Sequence, residues 1–162
     1  MANASSAILD MTPAEILHHP NLYAVEIMQL REAISVMKAC HIQIVDLPNT
    51  PVRVFAWLAK NVPLWFSRPL LSRIAGQGRG MKMPSFHIDL HSSRGKSEVD
   101  YLNGAVVRRG VQSNIPTPVN YWLNNTLLSL TQGSLSLESY SHQPERYLVD
   151  LNSFIHDTQG ND

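Results

Sequence analysis

Over residues 21–41 the apolar side chains Val25, Ile27, Met28, Leu30, Ala33, Ile34, Met37 and Cys40 recur largely at three- and four-residue spacing. That is the period of a helix with one buried face. At about 1.5 Å per residue such a helix is about 30 Å long, enough to cross a small domain. No period-two alternation recurs along the 162 residues, and there is no internal repeat. Ile42-Gln43-Ile44-Val45 has the composition of a strand. It runs into the turn-rich Asp46-Leu47-Pro48-Asn49-Thr50-Pro51 and reads as an extended loop. The chain is predicted to be all-α.

The remaining helices follow from local signals. Thr12-Pro13-Ala14-Glu15 has the form of a capping box with proline in the first helical position. The short helix it opens should end near Pro20, because a residue before proline avoids helical backbone. Val52 to Asn61 and Leu64 to Ala75 read as helices broken at Pro63, carrying Phe55, Trp57, Trp65 and Phe66. Met83 to Ser92 is a further helix. Ser97 to Ser113 is another, with Leu102, Val106 and Val107 as its expected core stripe. After the stiff turn Ile115-Pro116-Thr117-Pro118, a helix is expected from Val119 to Gln132, with Gly133 as its C-terminal cap. Two segments result: residues 1–132, and a polar extension 133–162. Within the extension Tyr147, Leu148, Leu151, Phe154 and Ile155 mark a short last helix, fraying beyond His156.

Composition removes several classes of function. Apolar residues at 44% against 16% charged supply a core and exclude global disorder. Thirteen basic residues balance thirteen acidic ones, which excludes a globally basic nucleic-acid binder. One cysteine excludes an internal disulfide framework, and Cys40, in the apolar stripe, reads as a buried inert thiol. No uncharged apolar run reaches about 18 residues, so no membrane span is expected. Residues 1–11 are too short and too polar for a signal peptide, which makes the cytoplasm the expected compartment.

Candidate chemistry is sparse. Gly76-Gln77-Gly78-Arg79-Gly80 lacks the strand and following helix of a phosphate loop and reads as a connector. His87 and His91 stand four apart on one helical face, half of a metal clamp. No third ligand is evident nearby, so no metal site is expected. Ser85, Glu98 and Asp100 are grouped as polar candidates, with Ser85 and Asp89 on one helical face. Glu98 falls in a first helical turn, where the helix dipole favours a carboxylate and where it is either a plain helix-terminal acid or a hydrogen-bond acceptor for a hydroxyl substrate. No acidic residue lies between Asp46 and Asp89, a stretch holding Arg53, Lys60, Arg68, Arg73, Arg79 and Lys82. These cations are either a solvated face or a positive field for an anionic ligand.

The stretch Met83 to Leu90, the run Ser97-Glu98-Val99-Asp100-Tyr101-Leu102-Asn103-Gly104, and Ile115-Pro116-Thr117-Pro118-Val119-Asn120 together resemble the C-terminal domain of the ketopantoate reductases (2-dehydropantoate 2-reductases). The opening Asn3 to Leu9 resembles that domain's first helix. The resemblance runs from about Asn3 to Gln132. It implies the helical C-terminal fold of the 6-phosphogluconate dehydrogenase type, with no Rossmann domain in this chain. It also implies, for the whole enzyme, NADPH-dependent reduction of ketopantoate or a related 2-oxo acid on the route to coenzyme A.

By the same resemblance Asn3 and Ser85 are substrate-binding residues, and Glu98 is the active-site acid. Asp89 becomes a helix-structural or supporting residue. Asn103 and Asn120 become a helix contact and a turn or cap. The family's lysine acid and first asparagine lie upstream of Asn3 and have no counterpart here. Lys82 stands where some members place a further substrate-contacting asparagine. The chain is therefore expected to be the substrate-side half: inactive alone, binding NADPH no more than weakly, and needing a Rossmann domain in cis or in trans. A homodimer is expected if Ile8, Leu9, Met11, Trp57, Trp65 and Phe66 leave an open apolar patch, and a monomer if they all lie in the core. The alternative function is a non-catalytic helical oligomerisation or interaction module, with the basic aromatic segment from Arg53 to Arg73 meeting an anionic partner or a membrane surface.

Overall fold

In a computed structural model, which describes residues 2–48, 50–69, 83–91 and 97–160, the apolar stripe becomes the central helix α3, Pro20–Ala39. It touches α2 (Pro13–His18), α4 (Val52–Asn61), α7 (Val99–Gln112), α8 (Pro118–Thr131) and α9 (Pro144–Gln159). The chain enters through α1, Asn3–Leu9, a short helix with every residue from Ala4 to Leu9 buried. Its small side chains Ala4, Ser5, Ser6 and Ala7 let α6 (Ser85–His91) and α8 pack closely on it. The short α5 covers 64–69. No strand occurs among the described residues; an isolated bridge between Leu47 and Thr50 closes the turn after the extended segment 42–46.

Local chemistry sets the boundaries. Thr12 Oγ1 accepts the Glu15 N–H, while Glu15 Oε2 accepts the Thr12 N–H at 2.7 Å, so the capping box is complete. The Thr12 hydroxyl, which also donates to Glu15 Oε2 at 2.7 Å, and then the Thr12 N–H hold the Glu15 carboxyl below its ordinary range. Pro20 opens α3 one residue earlier than its pattern indicates, with His19 Nδ1 accepting from the Leu22 N–H. Gly133 adopts φ 73°, the left-handed backbone expected of the residue that ends α8.

Two apolar clusters hold the helices together. The larger gathers Ile8, Leu9, Val25, Phe86, Leu123 and Leu127 with Tyr147 and Leu151 of α9. The 16-residue α9 thus shares one core with α1 and α8, and it stays helical past His156 to Gln159. The smaller cluster sets Leu58 and Ala59 of α4 against Leu17, Tyr23 and Ile27. Arg31 Nε donates to the Ala59 carbonyl at 2.6 Å, and the Tyr23 and Ser67 hydroxyls meet at 2.7 Å.

Several expectations are corrected. Leu102 is exposed and Val106 and Val107 are only half-buried; the residues α7 buries are Val99, Asn103, Gly104 and Gly110. The reason is close approach. A Cβ on Gly110 would lie 2.7 Å from the Ile115 carbonyl oxygen, so the helix packs through its small face. Ile8 and Leu9 belong to the core, whereas Trp57, Trp65 and Phe66 are exposed. Cys40 is half-buried at the end of α3, its Sγ 3.4 Å from Ser113 Oγ. Arg73, Arg79, Lys82, the Gly76–Gly80 connector and the far end of the helix expected to reach Ala75 lie outside the described residues.

The start of α8 is held from a distance. Thr117 gives no side-chain cap and Pro118 has no N–H. Glu32 on α3 instead accepts the Val119 and Asn120 N–H groups, both at 2.9 Å, and the Asn120 Nδ2 at 2.6 Å. Burial pushes the Glu32 carboxyl up, and the bonds from Asn120 and Val119 pull it back down. Glu32→Ala should lower stability by about 2 kcal/mol in urea denaturation, because it strips the acceptor from buried N–H groups. A carboxyl raised on folding makes the native state bind its proton more tightly than the unfolded chain does. Stability therefore falls as pH rises from the ordinary value of 4.5 to the raised one. Glu32→Gln is expected to flatten that part of the stability–pH curve.

Candidate functional site

Where α1, α3, α6, α7 and α8 converge, they enclose a cavity of about 290 Å³. One wall is a single stripe of α3: Glu26, Gln29, Leu30 and Ala33, spaced as one helical face. Opposite stand Asn3 of α1, Phe86 of α6, Leu102, Asn103 and Val106 of α7, and Asn120 of α8. Three asparagines and one glutamine place hydrogen-bonding groups among walls that are otherwise largely apolar.

The polar groups are fixed by what they already bond. Asn103 Nδ2 donates to Asn120 Oδ1 at 3.1 Å. Asn120 Nδ2 donates to the Gln29 carbonyl at 3.1 Å and to Glu32. Glu26 is 1% exposed, yet both of its oxygens are used. Oε2 accepts the Ala2 N–H at 2.5 Å and Oε1 accepts the Ser5 hydroxyl at 2.6 Å. The single Ser5 proton is thereby committed, so the Tyr147 hydroxyl, 2.9 Å from Ser5 Oγ, is the donor in that contact. Burial, and then the charge of Glu26, push the Tyr147 hydroxyl well above the ordinary tyrosine range, which keeps its proton in place. Gln29 Oε1 differs from the rest: it is buried and has no hydrogen-bond partner among the described residues.

Charge is one-sided. Among the described residues that line the cavity there is no lysine, arginine or histidine. From these described residues a carboxylate ligand would meet amides and the Glu26 acid.

Of the residues singled out from sequence, Asn3 lines the cavity and the fold brings it together with Asn103 and Asn120. Ser85 opens α6 and Glu98 immediately precedes α7. Both are exposed, and neither is part of the cavity wall, although Phe86 beside Ser85 is. Ser97 Oγ accepts the Val99 N–H at 3.2 Å and serves the start of α7. Asp100 is not grouped with the other two candidates: it pairs with Arg108, Nη1 to Oδ1 at 2.9 Å. Sequence reasoning missed Glu26 and Gln29. The available signal was a pair of polar residues inside the apolar stripe, at positions that share its face.

The network makes a graded test. Glu26→Ala should cost about 3 kcal/mol in urea denaturation, since it leaves the Ala2 N–H and Ser5 hydroxyl buried and unpaired. Tyr147→Phe should cost only about 1 kcal/mol, because Ser5 keeps its bond to Glu26.

With the geometry in view, likeness to known proteins is informative. The family described as ketopantoate reductase PanE/ApbA C terminal matches residues 1–131. Among solved structures, one described as "The ternary structure of D-mandelate dehydrogenase with NADH and anilino(oxo)acetate" shares the fold with a TM-score of 0.62 at 21% identity. The similarity covers 81% of this chain and 62% of that chain, so the present sequence spans under two thirds of that protein. No curated protein matches.

Proposed function

The chain belongs to the ketopantoate reductase C-terminal family, and on that premise we propose that it is the substrate-side half of an NADPH-dependent 2-oxo acid reductase. The proposed reaction is ketopantoate to pantoate, on the route to coenzyme A, in the cytoplasm. No described helix is long and apolar enough to cross a membrane. The observation that carries this reading is the cavity itself, with the amides of Asn3, Gln29, Asn103 and Asn120 among its lining residues. The solved structure similar in fold is described with NADH and an oxoacetate, the same pairing of nicotinamide cofactor and 2-oxo acid.

The cofactor itself does not fit the described residues. They form no sheet, and a dinucleotide cradle needs the turn between a strand and a helix. NADPH is therefore assigned to a Rossmann partner domain, in cis or in trans, and no tight binding to this chain is expected. Within this chain the proposed division of work is plain. The Asn3 amide hydrogen-bonds the substrate from the cavity wall. Ser85 and Glu98 stand on the outer surface, open to a partner domain closing over them. There Ser85 offers a hydroxyl to the substrate, and the Glu98 carboxyl accepts a hydrogen bond from its hydroxyl group.

Activity tests this directly. The purified chain with NADPH and ketopantoate should show no turnover. Adding the cognate Rossmann half should restore it, and in that reconstituted enzyme Glu98→Gln should lower kcat by about 10²-fold. Turnover by the chain alone, or an unaffected Glu98→Gln, would contradict the assignment.

The fold also leaves an apolar surface uncovered. Trp57 on α4 is 60% exposed, and Trp65 and Phe66 on α5 are 76% and 60% exposed, with their rings edge to face. Isolated apolar side chains are common on surfaces, but adjacent large aromatics mark contact sites. We propose a two-fold homodimer through α4 and α5, the closed arrangement that buries one patch on identical chains. Light scattering after size exclusion should then give twice 18.2 kDa, and Trp65→Glu should return the mass to that of one chain.

A further inference from the structure

The two histidines that sequence left short of a ligand acquire one in the fold. Asp10 ends α1 in left-handed backbone at φ 52°, which turns its carboxylate toward α6. His87 Nε2 lies 2.7 Å from Asp10 Oδ1, and the His87 and His91 rings are 4.3 Å apart between centroids. One ligand atom from each of Asp10, His87 and His91 lies within 4.8 Å of the other two. His142 approaches from the other side, Nε2 3.6 Å from Asp10 Oδ2, and its own N–H donates to the Leu9 carbonyl at 2.7 Å. Three chain segments thus converge on one carboxylate.

We propose that Asp10, His87 and His91 form a binding site for a divalent transition-metal ion of the Zn²⁺ class. The donor set decides the class. Two imidazole nitrogens and one carboxylate oxygen suit zinc, copper or nickel, whereas calcium and magnesium require mainly oxygen ligands. Three protein ligands with a fourth position open to water is an established arrangement for zinc. Tetrahedral ligands about 2.0 Å from the ion stand about 3.3 Å from one another, so the direct Asp10–His87 bond has to lengthen by a fraction of an ångström. His142 then faces Oδ2, the carboxylate oxygen the ion leaves free, and holds the carboxylate in orientation. His91, at the exposed end of α6, closes onto the ion by a side-chain rotation. The ion would clamp the end of α1, whose other end carries Asn3, to α6, whose first residue is Ser85. The site is separate from the amide-lined cavity and does not depend on the reductase reading.

The test is Zn²⁺ titrated calorimetrically into the chelator-treated full chain, with Co²⁺ absorption as a report on coordination geometry. One equivalent is expected to bind with Kd at or below about 10 µM, together with the strong visible bands of tetrahedral Co²⁺. His91→Ala, at an exposed position, and Asp10→Asn, a residue that tolerates left-handed backbone, should each weaken binding at least about 10-fold. At one fixed Zn²⁺ concentration the thermal midpoint of the native chain should rise, and that of His91→Ala should rise less. His156→Ala, a histidine far along α9, should bind as the native chain does. The proposal is overturned if no saturable binding appears up to about 1 mM. It is equally overturned if His91→Ala and Asp10→Asn bind as tightly as the native chain, since the heat then comes from scattered surface histidines.

Discussion

The Glu26 carboxylate is a charge placed where water does not reach, and the arrangement of the N-terminal helix follows from it. An unpaired buried carboxylate is prohibitive, so the chain must bring donors to it. Ala2 brings its backbone N–H and Ser5 its hydroxyl, and Tyr147 completes the relay from α9. Three helices distant in sequence are thereby fixed in rotation as well as position. Apolar packing alone tolerates sliding; a carboxylate with two named donors does not. The small residues of α1 serve the same end, since a bulky side chain at Ser5 or Ser6 would push the helix away from the acid that anchors it.

Glu32 repeats the device six residues further along α3. Its carboxylate occupies the start of α8, where backbone N–H groups lack partners and the helix dipole is positive. Asn120 is drawn in by the same oxygens and passes the constraint to Asn103. The two acids of α3 thus hold the helices on either side of the cavity, and Gln29 and Leu30 between them, with Ala33 just beyond Glu32, form its α3 wall. Among the described residues, the cavity's polar lining is four amide side chains and the Glu26 carboxyl. Such a wall can orient hydroxyl and carbonyl groups through its amides.

The metal-ligand cluster illustrates a different kind of assembly. His87 and His91 face each other because one helical turn separates them, a local fact. Asp10 reaches them only because α1 and α6 pack side by side, and His142 only because the turn before α9 returns to the end of α1. Asp10 takes left-handed backbone as the C-terminal cap of α1, its N–H donating to the Ser6 carbonyl, and the His142 N–H, also at positive φ, reaches the carbonyl of Leu9, the residue before Asp10.

Much of this was legible in the residues themselves. The all-α class, the capping box at Thr12, the α4 boundaries at Val52 and Asn61, and the cap at Gly133 all follow from local sterics and hydrogen bonding, which a short stretch of sequence contains in full. The motif residues carried the family resemblance for the same reason: a motif is local. Tertiary structure alone decided which faces those helices bury. Leu102 and Val106 had the spacing of a core stripe, but Gly110 allows so close an approach to the turn before α8 that the small face of α7 packs and the larger residues line a cavity. It also decided that Glu26 and Glu32, polar residues on an apolar helix, are structural anchors, that the aromatics of α4 and α5 stay outside, and that two histidines gain an aspartate 77 residues away. Period and capping are properties of neighbours along the chain. Partnership for a buried charge depends on what folding brings within about 3 Å, and no spacing along the sequence encodes that distance.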